Sequence, residues 1–179
     1  MKRTPTLIAA AALASLVPAQ VQAQSAAACL TEREVAQMAI YAVPSLVDGV
    51  RGKCAGKLAP TAFLATRGDA FAAKYAALQG ETWPVAKSAI LKFVSGSVKD
   101  RNADTLAMVA ALPDESVRPL VDGMIAQKIG ESVSPDQCRN VERGMQLVSV
   151  MNPRDSGAMI AFVMAVAKPR SPAICPASS

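Results

Sequence analysis

The residues of this 179-residue chain best placed to do chemistry are four cysteines, Cys29, Cys54, Cys138 and Cys175, and the chemistry they point to is crosslinking. Their spacings contain no CxxC, so neither a thioredoxin-like redox pair nor a zinc ribbon fits them. The chain has no histidine at all. That removes the usual general base, the usual zinc ligand and every Ser-His or Cys-His nucleophile system. GxSxG, SxxK and GxGxxG are absent. Gly52-Lys53 and Gly56-Lys57 carry fragments of a P-loop, but neither has the earlier glycine, the following Ser/Thr or a preceding strand. No catalytic, cofactor-binding or metal-binding residue is therefore assigned from the sequence.

Carboxylates remain the one route to acid and base work, as in glycosidases. Glu32, Glu34, Asp48, Glu81, Asp100, Asp104, Glu131 and Glu142 are available, yet several sit where helix capping or the helix dipole accounts for them, and no pair stands out. Seven methionines, Met38, Met108, Met124, Met145, Met151, Met159 and Met164, bring Cu(I) ligation to mind, since thioethers suit that ion. Without a close MxM or MxxM cluster they read better as flexible core filler. Arg67-Gly68-Asp69 spells an integrin-binding tripeptide, but it falls in the first turn of an expected helix, with Asp69 in a capping role. Arg51, Lys53 and Lys57 form the one basic concentration and read as a solvated loop.

The first 23 residues carry a charged n-region (Lys2, Arg3), an apolar h-region (Leu7 to Val17) and small residues at Val21-Gln22-Ala23, the pattern of a signal peptide cut after Ala23. Ala26-Ala27-Ala28-Cys29 matches a lipoprotein signal poorly, because Cys29 lies well beyond the h-region. Residues 24–179 would then be a periplasmic or secreted single domain, with 17 basic against 14 acidic residues and four cysteines in an oxidising compartment. Aromatics are only 4% and the basic residues are scattered, so no nucleic-acid surface is expected. The apolar run of the signal is too short for a retained anchor, and no transmembrane segment is expected in the mature chain.

What must position these residues is a set of helices. Thr31 with Glu34 is a capping box, and Pro44 is expected to interrupt the helix it opens. Thr66 with Asp69 reads as a second box, heading a helix with Phe71, Tyr75 and Leu78 on one face and Gly80 at its end. Thr82 is expected to cap a helix with a Trp83, Ala86, Ile90 and Val94 stripe. Ser97 with Asp100 is expected to open another, bearing Leu106, Val109 and Leu112. Leu120, Val121, Met124, Ile125 and Ile129 mark an amphipathic helix after Pro113, and Ser134-Pro135 opens one bearing Cys138, Val141, Met145 and Val148. Finally Asn152, Pro153 and Lys168-Pro169 bracket Gly157 to Ala167, a run without a single charge.

A helix apolar on every side must be buried all round or lie in lipid, and this run is too short to span a bilayer. The sequence thus predicts an all-α, single-domain bundle of seven or eight helices around Gly157 to Ala167, with Phe162 deep in the core. Two helical hairpins are expected to be closed by Cys29 with Cys54 and Cys138 with Cys175, because antiparallel neighbours bring their outer ends together. The function expected is that of a non-catalytic interaction or binding protein, whose partner is an unknown protein or a small apolar ligand. The alternatives are a carboxylate-dependent enzyme acting on envelope glycans and a carrier of an apolar molecule. A cavity against the central helix would favour the carrier, and an exposed apolar patch on a solid core the interaction protein.

Overall fold

Thr31 opens the helix on which everything else packs. Its hydroxyl accepts from the Glu34 N–H at 3.2 Å while the Glu34 carboxylate accepts from the Thr31 N–H at 2.9 Å, the expected capping box. In the computed structural model, which describes residues 29–97, 110–170 and 172–176, helix α1 runs unbroken over Glu32–Cys54. Around it lie α2 (Phe63–Thr66), α3 (Gly68–Ala76), α4 (Gln79–Ser97), α5 (Asp114–Ser132), a 3₁₀ turn (Pro135–Gln137), α6 (Cys138–Val148) and α7 (Pro153–Ala167). The fold is all-helical; among the described residues the one β feature is an isolated bridge between Leu30 and Ile174. The expected signal peptide (1–23) and the expected cap at Ser97 with Asp100, together with Leu106 and Val109, lie outside the described residues.

The central helix is α1, not the charge-free run of α7. Ile40, Tyr41, Val47 and Val50 are at most 2% exposed, and together with the buried Val35, Ser45 and Gly49 they ring α1 on every side. Helices α4, α5 and α7 all pack on it, with α3 at its C-terminal end. Charges mislead here: Glu32 and Glu34 in the first turn and Arg51 and Lys53 in the last complement the helix dipole, and between those turns the one charged side chain, Asp48, is exposed. Pro44, expected to break the helix, sits inside it. Losing one backbone bond and straining a turn costs about 3 kcal/mol, and burial of four large side chains on α1 outweighs that.

Helix α7 does have the expected termini: Asn152 Oδ1 accepts from the Arg154 N–H at 2.9 Å, and Lys168 ends it in the left-handed conformation, φ 47°. Its packing is the reverse of expectation. Small residues, Ser156, Gly157 and Ala161, are the buried ones. A Cβ on Gly157 would lie 2.9 Å from the Ala36 carbonyl oxygen and 2.8 Å from Ile40, so the two backbones are nearly in contact there. The large residues turn outward, with Phe162 62%, Val163 54% and Val166 65% exposed. Phe162 is a surface residue, and a charge placed there does not enter a core.

The cysteine pairing is also corrected. The bridges are Cys29–Cys175 and Cys54–Cys138. With α1 unbroken, Cys29 and Cys54 sit at opposite ends of a helix about 34 Å long, far beyond the roughly 7 Å between Cα atoms that a bridge tolerates. The second expected hairpin fails because α6 and α7 do not lie side by side: α6 packs on the 3₁₀ turn, α2 and the end of α1, while α7 returns along α1. The bridges therefore pin α1 at both ends. At its start, Leu30 donates to Ala173 and accepts from the Cys175 N–H, each at 2.9 Å, alongside the Cys29–Cys175 bond. At its finish, Cys54 and Cys138 are buried among Phe63, Leu64, Phe71, Tyr75 and Met145. Two disulfides fit an oxidising compartment, and no helix of the described residues is long and apolar enough to cross a membrane.

Other boundaries shift for local reasons. Gly80 and Thr82 lie inside α4: the chain turns at Ala77 and Leu78, and the Thr82 hydroxyl donates back to the Leu78 carbonyl at 2.9 Å instead of capping. On α5 the buried residue is Val117, while Leu120 and Met124 are 54% and 55% exposed, so the helix is rotated from the expected stripe. On α6, Cys138 and Met145 face inward as expected.

Candidate functional site

Several of the carboxylates are drawn into structural pairs. Arg154 grips Glu81 with both guanidinium nitrogens, each at 2.8 Å, joining the start of α7 to the start of α4. Asp114 takes Lys87 at 3.0 Å, and Glu131 lies 3.6 Å from Lys128. Glu32 and Asp48 are exposed on α1, and Asp100 and Asp104 lie outside the described residues. Among the described residues no three His, Cys, Asp or Glu side chains gather as a metal site would require. Arg51 is no solvated loop residue: it donates twice to the Leu64 carbonyl, at 3.0 and 2.8 Å, and pairs with Asp69. Arg67 lies over the Phe63 ring at 5.2 Å. Two members of the Arg67-Gly68-Asp69 tripeptide are thus engaged by their own chain, and Asp69 serves an ion pair rather than a cap.

Among the described residues the buried carboxylate is Glu34. Burial raises its pKa, but Lys92 at 2.6 Å, the Thr31 N–H and the Thr31 hydroxyl together with the charge of Lys92 outweigh that and hold it below the ordinary 4.5. A lowered folded-state pKa means that this pair's stabilisation is complete above the unfolded value and is lost as pH falls below about 4.5 through the folded value. Melting temperatures of the wild type and Glu34→Gln should therefore converge as pH is lowered from 7 to 3. A gap that stays constant across that range would contradict the assignment. A shallow hollow beside this pair, lined by Arg33, Pro84, Val85 and Ser88, adds no further acid or base.

Tyr41 stacks at a tilt on Trp83, centroids 5.0 Å apart, and Arg118 covers the Trp83 ring at 5.2 Å. Burial, and then the neighbouring Asp122 carboxylate, push the Tyr41 phenol far above its ordinary value, so it stays neutral. Ser45 donates to Asp122 at 3.2 Å on the same side of α1. This cluster holds α1, α4 and α5 together.

Among the described residues, a further concave feature is an apolar groove of about 460 Å³ between α1, α4, α5 and α7. Its floor is the stripe Val35, Met38, Ala39 and Ala42 of α1, spaced at three and four residues so that all four share one helical face. Ile90 and Phe93 come from α4, Val121, Met124 and Ile125 from α5, Ile160 and Met164 from α7, and Pro172 from the tail. Alanines 39 and 42 leave the volume unfilled, and the close approach of α7 at Gly157 fixes its wall. Among the described residues of the lining, Lys128 is the one with a polar side chain. The volume falls within the roughly 300 to 1,000 Å³ usual for small-molecule sites. Sequence reading met Met38, Met124 and Met164 as core filler; the structure puts all three on the groove wall. Only their flexible, polarisable side chains hinted at this, because their meeting across three helices has no signature along the chain.

No protein-family model, curated protein or solved structure matches this chain.

Proposed function

We propose that this is a non-catalytic binding protein of the periplasm or cell exterior, and that the groove between α1, α4, α5 and α7 carries an apolar ligand. The carrying observation is a hollow of about 460 Å³ whose lining among the described residues is, Lys128 apart, wholly hydrophobic and includes three methionines. An apolar concavity of that size against water is costly to keep empty, and methionine-rich walls adapt to ligands of varied shape. Glu34, Asp69, Glu81, Asp114 and Glu131 are drawn into ion pairs, which supports binding over glycan hydrolysis.

A second reading rests on the outer face of α7, where Met159, Phe162, Val163 and Val166 form an exposed apolar stripe suited to a protein partner. Two substitutions separate the readings. Ala42→Phe fills the groove and should abolish the fluorescence enhancement of N-phenyl-1-naphthylamine, while helical content is kept. Phe162→Asp, on the outer face, should leave both probe binding and melting temperature close to wild type. Undiminished probe binding by a folded Ala42→Phe protein would defeat the carrier reading, and loss of binding only in Phe162→Asp would favour the stripe.

A further inference from the structure

Resting on the carrier reading, we propose that the ligand is a single-chain amphiphile with an anionic head, its hydrocarbon tail in the groove and its head at Lys128. The composition of the lining makes the argument. Twelve of the thirteen described lining residues offer no polar side chain, so a ligand with polar groups along its length would lose their hydration without compensation. The ligand's polarity must therefore be gathered at one end, outside the apolar walls. Among the described residues of the lining Lys128 supplies the one charge, on the stretch of α5 that also places Val121, Met124 and Ile125 in the wall. A lysine stem can lie along apolar surface while its ammonium stays in water, which suits it to a groove mouth.

The state of Lys128 is consistent with this role. Its side chain is 80% exposed, and its ion pair, with Glu131 one turn along at 3.6 Å, is loose and solvent-screened. Glu131 is shared with Gln127, whose side-chain amide donates to it at 3.0 Å. A carboxylate or phosphate head can displace so weak a partner. Glu131 in turn acts as a competitor, holding the ammonium when no ligand is present and repelling an anion that approaches past it.

Calorimetric titration of the exported protein, freed of bound lipid, tests the proposal with three probes below their micelle-forming concentrations: dodecanoate, dodecanol and dodecyltrimethylammonium. Dodecanoate is expected to bind at least tenfold more tightly than dodecyltrimethylammonium, with dodecanol between them. Lys128→Glu should reverse the order of the two ions, and Glu131→Gln should tighten dodecanoate two- to threefold. Equal affinities for all three, unmoved by Lys128→Glu, would overturn the anionic head and leave the carrier reading standing. Binding of none of the three by a protein with wild-type helical content and melting temperature would overturn both.

Discussion

Replacing Gly49 with alanine is expected to lower the melting temperature, whereas the same change at Gly52 on the same helix is expected to raise it slightly. A Cβ at position 49 would lie 2.3 Å from the Ala126 carbonyl oxygen and 3.1 Å from two further backbone atoms of α5, and backbone does not swing aside as a side chain can. At Gly52 a Cβ meets nothing within 4 Å. In a helix interior alanine is better than glycine by about 1 kcal/mol, so Gly52→Ala isolates the propensity gain and Gly49→Ala sets it against a collision. Overpacking of this kind costs about 1 to 3 kcal/mol and sometimes more. Because the obstruction is main chain, a net loss of at least about 2 kcal/mol is expected, which for a domain of this size is roughly 4 to 8 °C. Gly49→Leu should leave no cooperative transition. Thermal unfolding followed by circular dichroism decides it; a Gly49→Ala protein as stable as Gly52→Ala would mean that α1 and α5 do not approach so closely.

The second large effect is loss of either disulfide. Chain entropy gives about 5 kcal/mol for the Cys29–Cys175 bridge and about 4.5 kcal/mol for Cys54–Cys138, from sequence separations of 146 and 84. Removing a native bridge typically costs about 2 to 5 kcal/mol, so Cys175→Ser and Cys138→Ser should each lower the melting temperature by roughly 5 to 15 °C. The bridges should also differ in access. Cys54 and Cys138 are 2% and 1% exposed, while Cys29 and Cys175 are only half-buried. Dilute dithiothreitol should therefore open Cys29–Cys175 first, seen by alkylation and mass spectrometry. Peptides linking Cys29 to Cys54 or Cys138 to Cys175 in non-reducing maps would refute the pairing.

How much of this was legible in the residues divides along a physical line. Local determinants read true: the Thr31–Glu34 box, the Asn152 cap of α7, its end at Lys168 and the Cys138–Met145 face of α6 all follow from interactions between residues a turn apart. What failed were inferences about which element surrounds which. Counting charges selected α7 as the centre, but charges at the ends of α1 do not keep its middle from being enclosed, and small residues such as Gly157 and Ala161 can seat a helix while its larger ones stay outside. Treating Pro44 as a break halved α1 and thereby paired the wrong cysteines; local propensity lost to tertiary burial, as it does when a helix has neighbours on all sides. The groove was least legible of all. It exists because Ala39 and Ala42 fail to fill space between α4, α5 and α7, and a void leaves no mark on the string of residues that surrounds it.

The two bridges, set at opposite ends of α1, also determine what cleavage can do. Followed through peptide bonds and disulfides alike, the chain between Cys29 and Cys175 is a closed ring, and Cys54–Cys138 is a chord across it. No single nick within that ring can separate two fragments. Two nicks do so when both fall in the same arc between neighbouring cysteines, or when one falls between Cys29 and Cys54 and the other between Cys138 and Cys175. A cut in the exposed stretch after α1 and another in the tail beyond α7 would leave one covalently connected particle, its damage visible only after reduction. Such wiring lets the molecule accumulate cuts and still hold its helices in register.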